Sequence, residues 1–307
     1  MIYTVTLNPA IDYVIKLDNL QNGGVNRVSE EYIYPGGKGI NVSLILKELG
    51  YNSCALGFTS GFTGAFIKDC LEEKGLRTDF IDLRNGFSRI NVKIKSKEET
   101  EINGQGPSIS EEELESLYKK IDELNSEDIL ILAGSIPSTL DEKLYENIMA
   151  RIEEKNIKVV VDATKNLLLN VLKFKPFLIK PNNHELEEMF NVKLNNVDDI
   201  VLYANKLKEM GARNVLVSMG GDGALIITEN NEVYISNVPK GTVKNSVGAG
   251  DSMVAGFVAG YLKNNNCEEA LRLGAASGSA TAFSYDLATR DYIESFISEI
   301  KVEKKGR

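Results

Sequence analysis

The sequence predicts an α/β protein of three layers, with helices covering both faces of a mostly parallel central sheet and a small separate β-sheet acting as a lid. Three observations carry this expectation. Short apolar runs at 2–7, 52–58, 128–132, 158–161, 177–180 and 214–218 read as strands, most of them joined through amphipathic helical patterns. Between 78 and 106 that alternation lapses into strand and turn. Glycine loops feed helices at 34–50 and 245–257, as they do where parallel sheets bind ligands at the carboxyl ends of their strands.

The first strand, 2–7, ends at Asn8-Pro9. Asp12 stands just before a second, 13–17, where an acid can bind sugar hydroxyls or simply serve a turn. In YPGGKGINVSLILKELG, 34–50, Val42, Ile45, Leu46 and Leu49 share a helix face that stops at Gly50. This is not a Walker A loop, because no glycine lies five residues before Gly37 and Gly39 replaces the Ser or Thr that would hold magnesium. Lys38 and Asn41 add polar groups that a plain turn does not need.

Residues 52–58 and 64–74 read as strand and helix, and the lid strands are drawn from about 12–34 and 88–106. In RINVK, Arg89, Asn91 and Lys93 fall on one face of a strand and Ile90, Val92 and Ile94 on the other. The planar fork of Arg89 suits phosphate oxygens, although a solvated strand face would look the same. Ser110 with Glu113 forms a capping box before a helix bearing Leu114, Leu117, Tyr118, Ile121 and Leu124. The next strand delivers AGSIP, whose loop presents Ser135, and Thr139 with Glu142 reads as a further cap. Strand 158–161 closes on Asp162.

Strand 177–180 ends in KPNNHE. Lys180 suits phosphate, and the oxygens of Asn182 and Glu185 suit magnesium or its waters; an ordinary helix start with a dipole-matching acid is the competing account. Helix 197–210 ends at Gly211, strand 214–218 leads into MGGDG, and 224–228 with 232–235 reads as a hairpin. NSVGAGDSMVAGF, 245–257, then sets Asp251 where an anion would land on a helix start. A carboxylate beside a phosphate is repulsive unless it removes a proton, or unless it only complements the helix dipole. A small-residue helix, 270–283, packs near it, and KVEKKGR reads as a solvated tail.

Composition narrows the function. A net charge of −9 argues against a general nucleic-acid role. Cys54, Cys70 and Cys267 have no paired spacing, and His184 is the only histidine, so neither a zinc cluster nor a Ser/His/Asp hydrolase is expected. Met1 leads directly into IYTVTL without a signal-peptide pattern, and the apolar run 252–262 is too short to span a bilayer, so a cytoplasmic protein without membrane partners is expected.

NPAID, GGKGIN, AGSIP, KPNNHE, VSMGGDGA and NSVGAGDSMVAG occur in the order seen in ribokinase-like carbohydrate kinases of the phosphofructokinase B family, and the resemblance spans essentially the whole chain. It implies one kinase domain over 1–307. SRINVK with TEINGQGP is most similar to bacterial members acting on fructose 1-phosphate, with tagatose 6-phosphate kinases next. The implied reaction is transfer of the ATP γ-phosphoryl group to the C6 hydroxyl of fructose 1-phosphate. Asp251 is then the base, and the N–H groups of Gly248, Ala249 and Gly250 form the anion hole. The resemblance further gives sugar hydroxyls to Asp12, Gly37 and Asn41, and the existing phosphate to Lys38, Arg89 and Ser135. Lys180, Asn182, Glu185, Ser218, Gly220, Gly221, Gly223 and Val247, with Gly248 and Gly250, fall to the nucleotide site, Glu185 acting through magnesium and water. A monovalent cation near the anion hole and a homodimer through the lid are also implied. A catalytically inert sugar-phosphate sensor on the same scaffold is the alternative of another class, since fold does not fix function.

Overall fold

The structure is a computed structural model that describes residues 1–306. Its first half comprises β1 (Ile2–Thr6), β2 (Ala10–Lys16), β3 (Glu30–Gly36), α1 (Lys38–Glu48), β4 (Ser53–Ser60), α2 (Gly61–Glu73), β5 (Arg77–Thr78), β6 (Ile81–Leu83), β7 (Arg89–Lys95), β8 (Thr100–Asn103), α3 (Glu111–Asp122), β9 (Ile129–Ala133) and α4 (Leu144–Ile152). The second half comprises β10 (Lys158–Asp162), α5 (Lys165–Val171), β11 (Leu178–Ile179), α6 (Asn183–Phe190), α7 (Val197–Glu209), β12 (Asn214–Ser218), β13 (Ala224–Ile227), β14 (Val233–Ser236), α8 (Ala249–Asn264), α9 (Cys267–Ala282), α10 (Arg290–Ile297) and β15 (Val302–Lys304).

The main sheet runs β15-β14-β13-β12-β11-β10-β9-β1-β4-β5. It is parallel from β5 through β12 and antiparallel beyond. Alternate strand residues supply two cores. Leu130 and Leu132 face α3, α4 and α7 through Leu117, Ile121, Ile148 and Leu207. Ile129 and Ile131 face α1, α8 and α9 through Ile45, Phe257 and Ala276. This two-sided burial is why the strands read as continuous apolar runs.

A second sheet, β3-β2-β7-β8, stands apart as the lid. Its root is packed on the body, where Ile11 and Ile90 meet Ile67 and Leu71 of α2.

Several expectations change. Asp12 lies inside β2, paired with Tyr34 and Asn91, rather than in a turn before it. Strand β6 pairs with β4 in the body, leaving the lid to the strands from 10–36 and 89–103. Thr139 and Glu142 cap nothing: α4 begins at Leu144, and Asp141 Oδ1 accepts from the Lys143 N–H. The tail is not wholly solvated, because β15 adds antiparallel to β14 and extends the sheet. A charged surface-edge strand carries little apolar signal, so its sequence resembles a tail.

Candidate active site

The start of α8 is the centre of the site. Gly248 takes φ +79°, a left-handed conformation that suits glycine, and caps the helix. Ser252 fixes that corner, its Oγ donating to the Gly248 carbonyl and lying 2.8 Å from Thr281 Oγ1 of α9. The loop before it is tied by Asn245, whose Nδ2 donates to the Tyr285 carbonyl and whose Oδ1 accepts from the Val247 N–H. Of the expected anion-hole donors, the Ala249 N–H is directed to the Ser246 carbonyl at 3.3 Å. Gly250 lies in the first turn, where helix geometry supplies no carbonyl four residues back within the helix.

Asp251 is buried, and its Oδ2 accepts from Asn41 Nδ2 at 2.8 Å. Burial, reinforced by the nearby Asp162 charge, pushes its carboxyl up to about 6, against the pull of Lys38, Asn41 and Lys180. Asp162, the last residue of β10, is buried and bridges two lysines: Lys180 Nζ at 3.2 Å and Lys38 Nζ at 3.3 Å. Burial opposes its charge, but Lys180 and then Lys38 outweigh it and hold the carboxyl below the usual range. Lys38 answers in kind: burial disfavours its ammonium, yet Asp162 and Asp251 hold it above its usual range.

Two cavities flank this centre. The lid-side cavity, about 400 Å³, is lined by Asp12, Tyr34, Asn41, Lys93, Val247 and Tyr285 among others. The opposite cleft, about 870 Å³, is lined by Asn182, Ser218, Gly220, Gly221, Gly223 and Gly250 among others. Asp251 holds Asn41 of the first and adjoins Gly250 of the second, so it sits between them. Val247, expected on the nucleotide side, instead lines the lid-side cavity. The loop between Val247 and Ala249 turns at Gly248, which sends neighbouring residues to opposite sides.

Gly37, Lys38, Arg89, Ser135, Lys180 and Glu185 are not among the residues lining either cavity. Gly37 is the N-cap of α1, and a Cβ there would lie 2.5 Å from Thr6 Cγ2, so the glycine loop is required by packing as well as by any ligand. Ser135 is exposed after β9, beside Gly134, which faces the Lys38 side chain. Arg89 is half-buried, its Nε donating to the Asn8 carbonyl, and burial pushes its guanidinium down while Asp12 opposes the shift. Lys180 Nζ lies 3.3 Å from where a Gly250 Cβ would stand, so this cation reaches the α8 start. Asn182 and Glu185 cap α6 reciprocally, the helix-start account of this pair, and an isolated bridge joins Asn182 to Ser218 at the cleft. Among the described residues, no three His, Cys, Asp or Glu side chains gather as a metal cage.

Sequence reasoning did not assign Asp162 a role, nor Asn91 and Lys93, which both bond Asp12. The available signals were an acid closing an apolar strand and two polar residues alternating on a lid strand.

The profile of the "pfkB family carbohydrate kinase" matches residues 5–291. The chain is 51% identical to the 1-phosphofructokinase of Bacillus subtilis over 99% of this chain and all of that one. It is 38% identical to a D-tagatose-1-phosphate kinase of Bacillus licheniformis over 98% and 99% of the two chains. Phosphofructokinase-2 from Escherichia coli, solved in complex with substrates and products, superposes with a TM-score of 0.91 at 28% identity, covering 97% and 98%. With motif order, fold and these relatives in agreement, the chain belongs to the pfkB family of carbohydrate kinases.

Proposed function

We propose that this enzyme is a 1-phosphofructokinase, transferring the γ-phosphoryl group of ATP to the C6 hydroxyl of fructose 1-phosphate to give fructose 1,6-bisphosphate and ADP. The carrying observation is Asp251, a buried carboxyl pushed up to about 6 between two cavities at a helix start. That value leaves it mostly ionised at neutral pH while keeping it a competent proton acceptor. Asn41 fixes Oδ2 and so aims the carboxylate. Asp251 takes the hydroxyl proton as the new O–P bond forms and the bond to the β-phosphate oxygen breaks.

The chain's other parts position and neutralise, which is most of what phosphoryl transfer needs. Lys38 reaches from α1 and Lys180 from the end of β11, both held by Asp162, and Lys180, which approaches the α8 start, neutralises the nucleotide phosphates. Arg89, Lys38 and Ser135 hold the substrate's existing phosphate, and Asp12, Gly37 and Asn41 its hydroxyls. Asn182, Ser218, Gly220, Gly221 and Gly223 surround the nucleotide in the larger cleft. The α6 cap takes up Asn182 Oδ1 and Glu185 Oε2, and Glu185 Oε1, the hard oxygen that the cap does not use, fits a water of a magnesium ion carried by the nucleotide phosphates. Bound there, magnesium would supply charge neutralisation on the phosphates. Phosphofructokinase-2 from Escherichia coli, solved in complex with potassium, supports a monovalent cation as a further cofactor, which we assign to the neighbourhood of the anion hole. The lid excludes water, and we assign it the contact of a homodimer as well.

A panel of free and phosphorylated ketoses with ATP and magnesium, read by product identity, tests the reading. Fructose 1-phosphate should give the highest kcat/KM. A preference of about tenfold for tagatose 6-phosphate would overturn it, because discrimination of that size resides in the site itself. The 38% identical tagatose-1-phosphate kinase makes tagatose 1-phosphate the second substrate to include.

A further inference from the structure

Asp12 is held from two sides. Lys93 Nζ lies 2.9 Å from its Oδ2, and Asn91 Nδ2 donates to its Oδ1 at 2.9 Å. Both donors come from β7, whose parallel register sets Asn91 opposite Asp12 and Lys93 opposite Val14, so the three polar side chains share one lid face. From β3, Gly36 leaves room for the carboxylate: a Cβ there would stand 2.7 Å from Asp12 Oδ2. Asp12 and Lys93 line the lid-side cavity although their side chains are only 17% and 13% exposed.

Asn91 is 7% exposed, and its Oδ1 is a buried side-chain oxygen with no hydrogen-bond partner among the described residues. Such an acceptor is costly to leave unpaired. Turning the amide over does not relieve it, because the oxygen would then face the Asp12 carboxylate. The amide is therefore fixed with its Nδ2 on Asp12.

We propose that Asn91 and Lys93 are positioning and specificity residues of the sugar site. They clamp the Asp12 carboxylate as a fixed acceptor for two neighbouring hydroxyls, Lys93 from within the cavity and Asn91 from behind it. This rests on the reading of the chain as a sugar-phosphate kinase. A free carboxylate can rotate to follow a hydroxyl whose direction has changed, whereas one gripped at both oxygens cannot. Fructose 1-phosphate and tagatose 1-phosphate differ only in configuration at C4, which is the direction of one hydroxyl. The clamp therefore discriminates this pair.

The test compares Asn91→Leu, Asn91→Ser and Lys93→Met with wild type on both 1-phosphates, with the KM for ATP and the Tm as folding controls. The expected result is a KM for fructose 1-phosphate raised about 10- to 100-fold, the size of a lost hydrogen bond to a charged group, with kcat reduced by less. The fructose-to-tagatose ratio of kcat/KM should fall toward unity, and the KM for ATP should hold. Unchanged sugar KM and unchanged epimer ratio in the variants overturn the inference, as does a loss confined to kcat. If Asn91→Leu does not fold, Asn91→Ser and Lys93→Met decide the matter. Wild-type failure on fructose 1-phosphate would sink the proposed function itself, whereas an active wild type with unmoved variants sinks only the clamp.

Discussion

At the scale of single residues, Asp251 costs the folded protein what it gives the reaction. Its native carboxyl, at about 6, lies above the ordinary 3.8, so the native state binds the proton more tightly than the unfolded chain. That contribution to stability is complete below pH 3.8 and is lost as pH rises through about 6. Asp251→Asn removes the charge and keeps an oxygen for Asn41 to donate to. Thermal melts at pH 8 should show this variant more stable than wild type, with the gap closing below about pH 5. Its kcat should fall by about 10²–10⁴, the usual range for a lost general base, and unchanged turnover would refute the role. In wild type, kcat/KM should decline as pH falls through about 6, because the base becomes protonated. Asp162→Asn tests the bridge behind it: the buried Lys180 and the partly exposed Lys38 lose their partner, at a cost of about 3 kcal/mol in urea unfolding, carried mainly by Lys180 because solvent screens Lys38. Removing that negative charge should also move the acid limb of the pH profile downward, since Asp162 is one of the causes of the Asp251 shift. The choice for Asp251 between base and dipole-matching acid was open in sequence, because both put an acid in a first helical turn. Burial and the Asp162 neighbour, which come from strands distant in the chain, could not be read locally.

At the scale of elements, the site depends on how closely α8 lies against α9. The helices meet through small residues: a Cβ on Gly256 would stand 2.5 Å from Ser277 Oγ and 2.6 Å from the Leu273 carbonyl, and one on Gly260 would stand 2.8 Å from Ala270 Cα. Because the obstacles include backbone, side-chain repacking cannot absorb added volume. Gly256→Leu should lose more than about 3 kcal/mol or fail to fold, and Gly256→Ala should lose about 1–3 kcal/mol with a raised KM for ATP as the helix start shifts. A neutral Gly256→Ala in chemical denaturation would contradict the packing. This pair was legible beforehand, because Ala- and Gly-rich helical runs imply close helix contact whatever their partner. The β1, β4, β9, β10 and β12 strands were legible for a similar reason: burial on both faces writes continuous apolar runs. The start of α4 and strand β15 were not. A capping-box pattern at Thr139 also fits a polar turn after Pro137, and an edge strand made of Val302, Glu303 and Lys304 has too little apolar content to declare itself.

At the scale of the whole molecule, the lid is a sheet with two differently used faces. Asp12, Asn91 and Lys93 occupy the face over the cavity. On the other face, register lines up Ile33, Tyr13, Val92 and Ile102 across all four strands. Ile11 and Ile90 at the root are covered by α2, but Ile33 is 51% and Ile102 58% exposed. An apolar sheet face of this kind left in water invites association, and a second copy of the same face answers it with two-fold symmetry. The alternation that produces both faces was visible in RINVK, where polar and apolar residues take turns; what covers the apolar side was implied only by resemblance. Ile33→Glu with Ile102→Glu places two charges in the centre of such a contact, and neither residue touches the cavity. Light scattering should therefore find wild type a dimer and the double variant a monomer at micromolar concentration. If the contact also holds the lid closed, the monomer should hydrolyse ATP without sugar faster than the dimer, because water reaches the transferred phosphoryl group. A double variant that remains dimeric would remove the lid from the interface and leave its apolar face to some other cover.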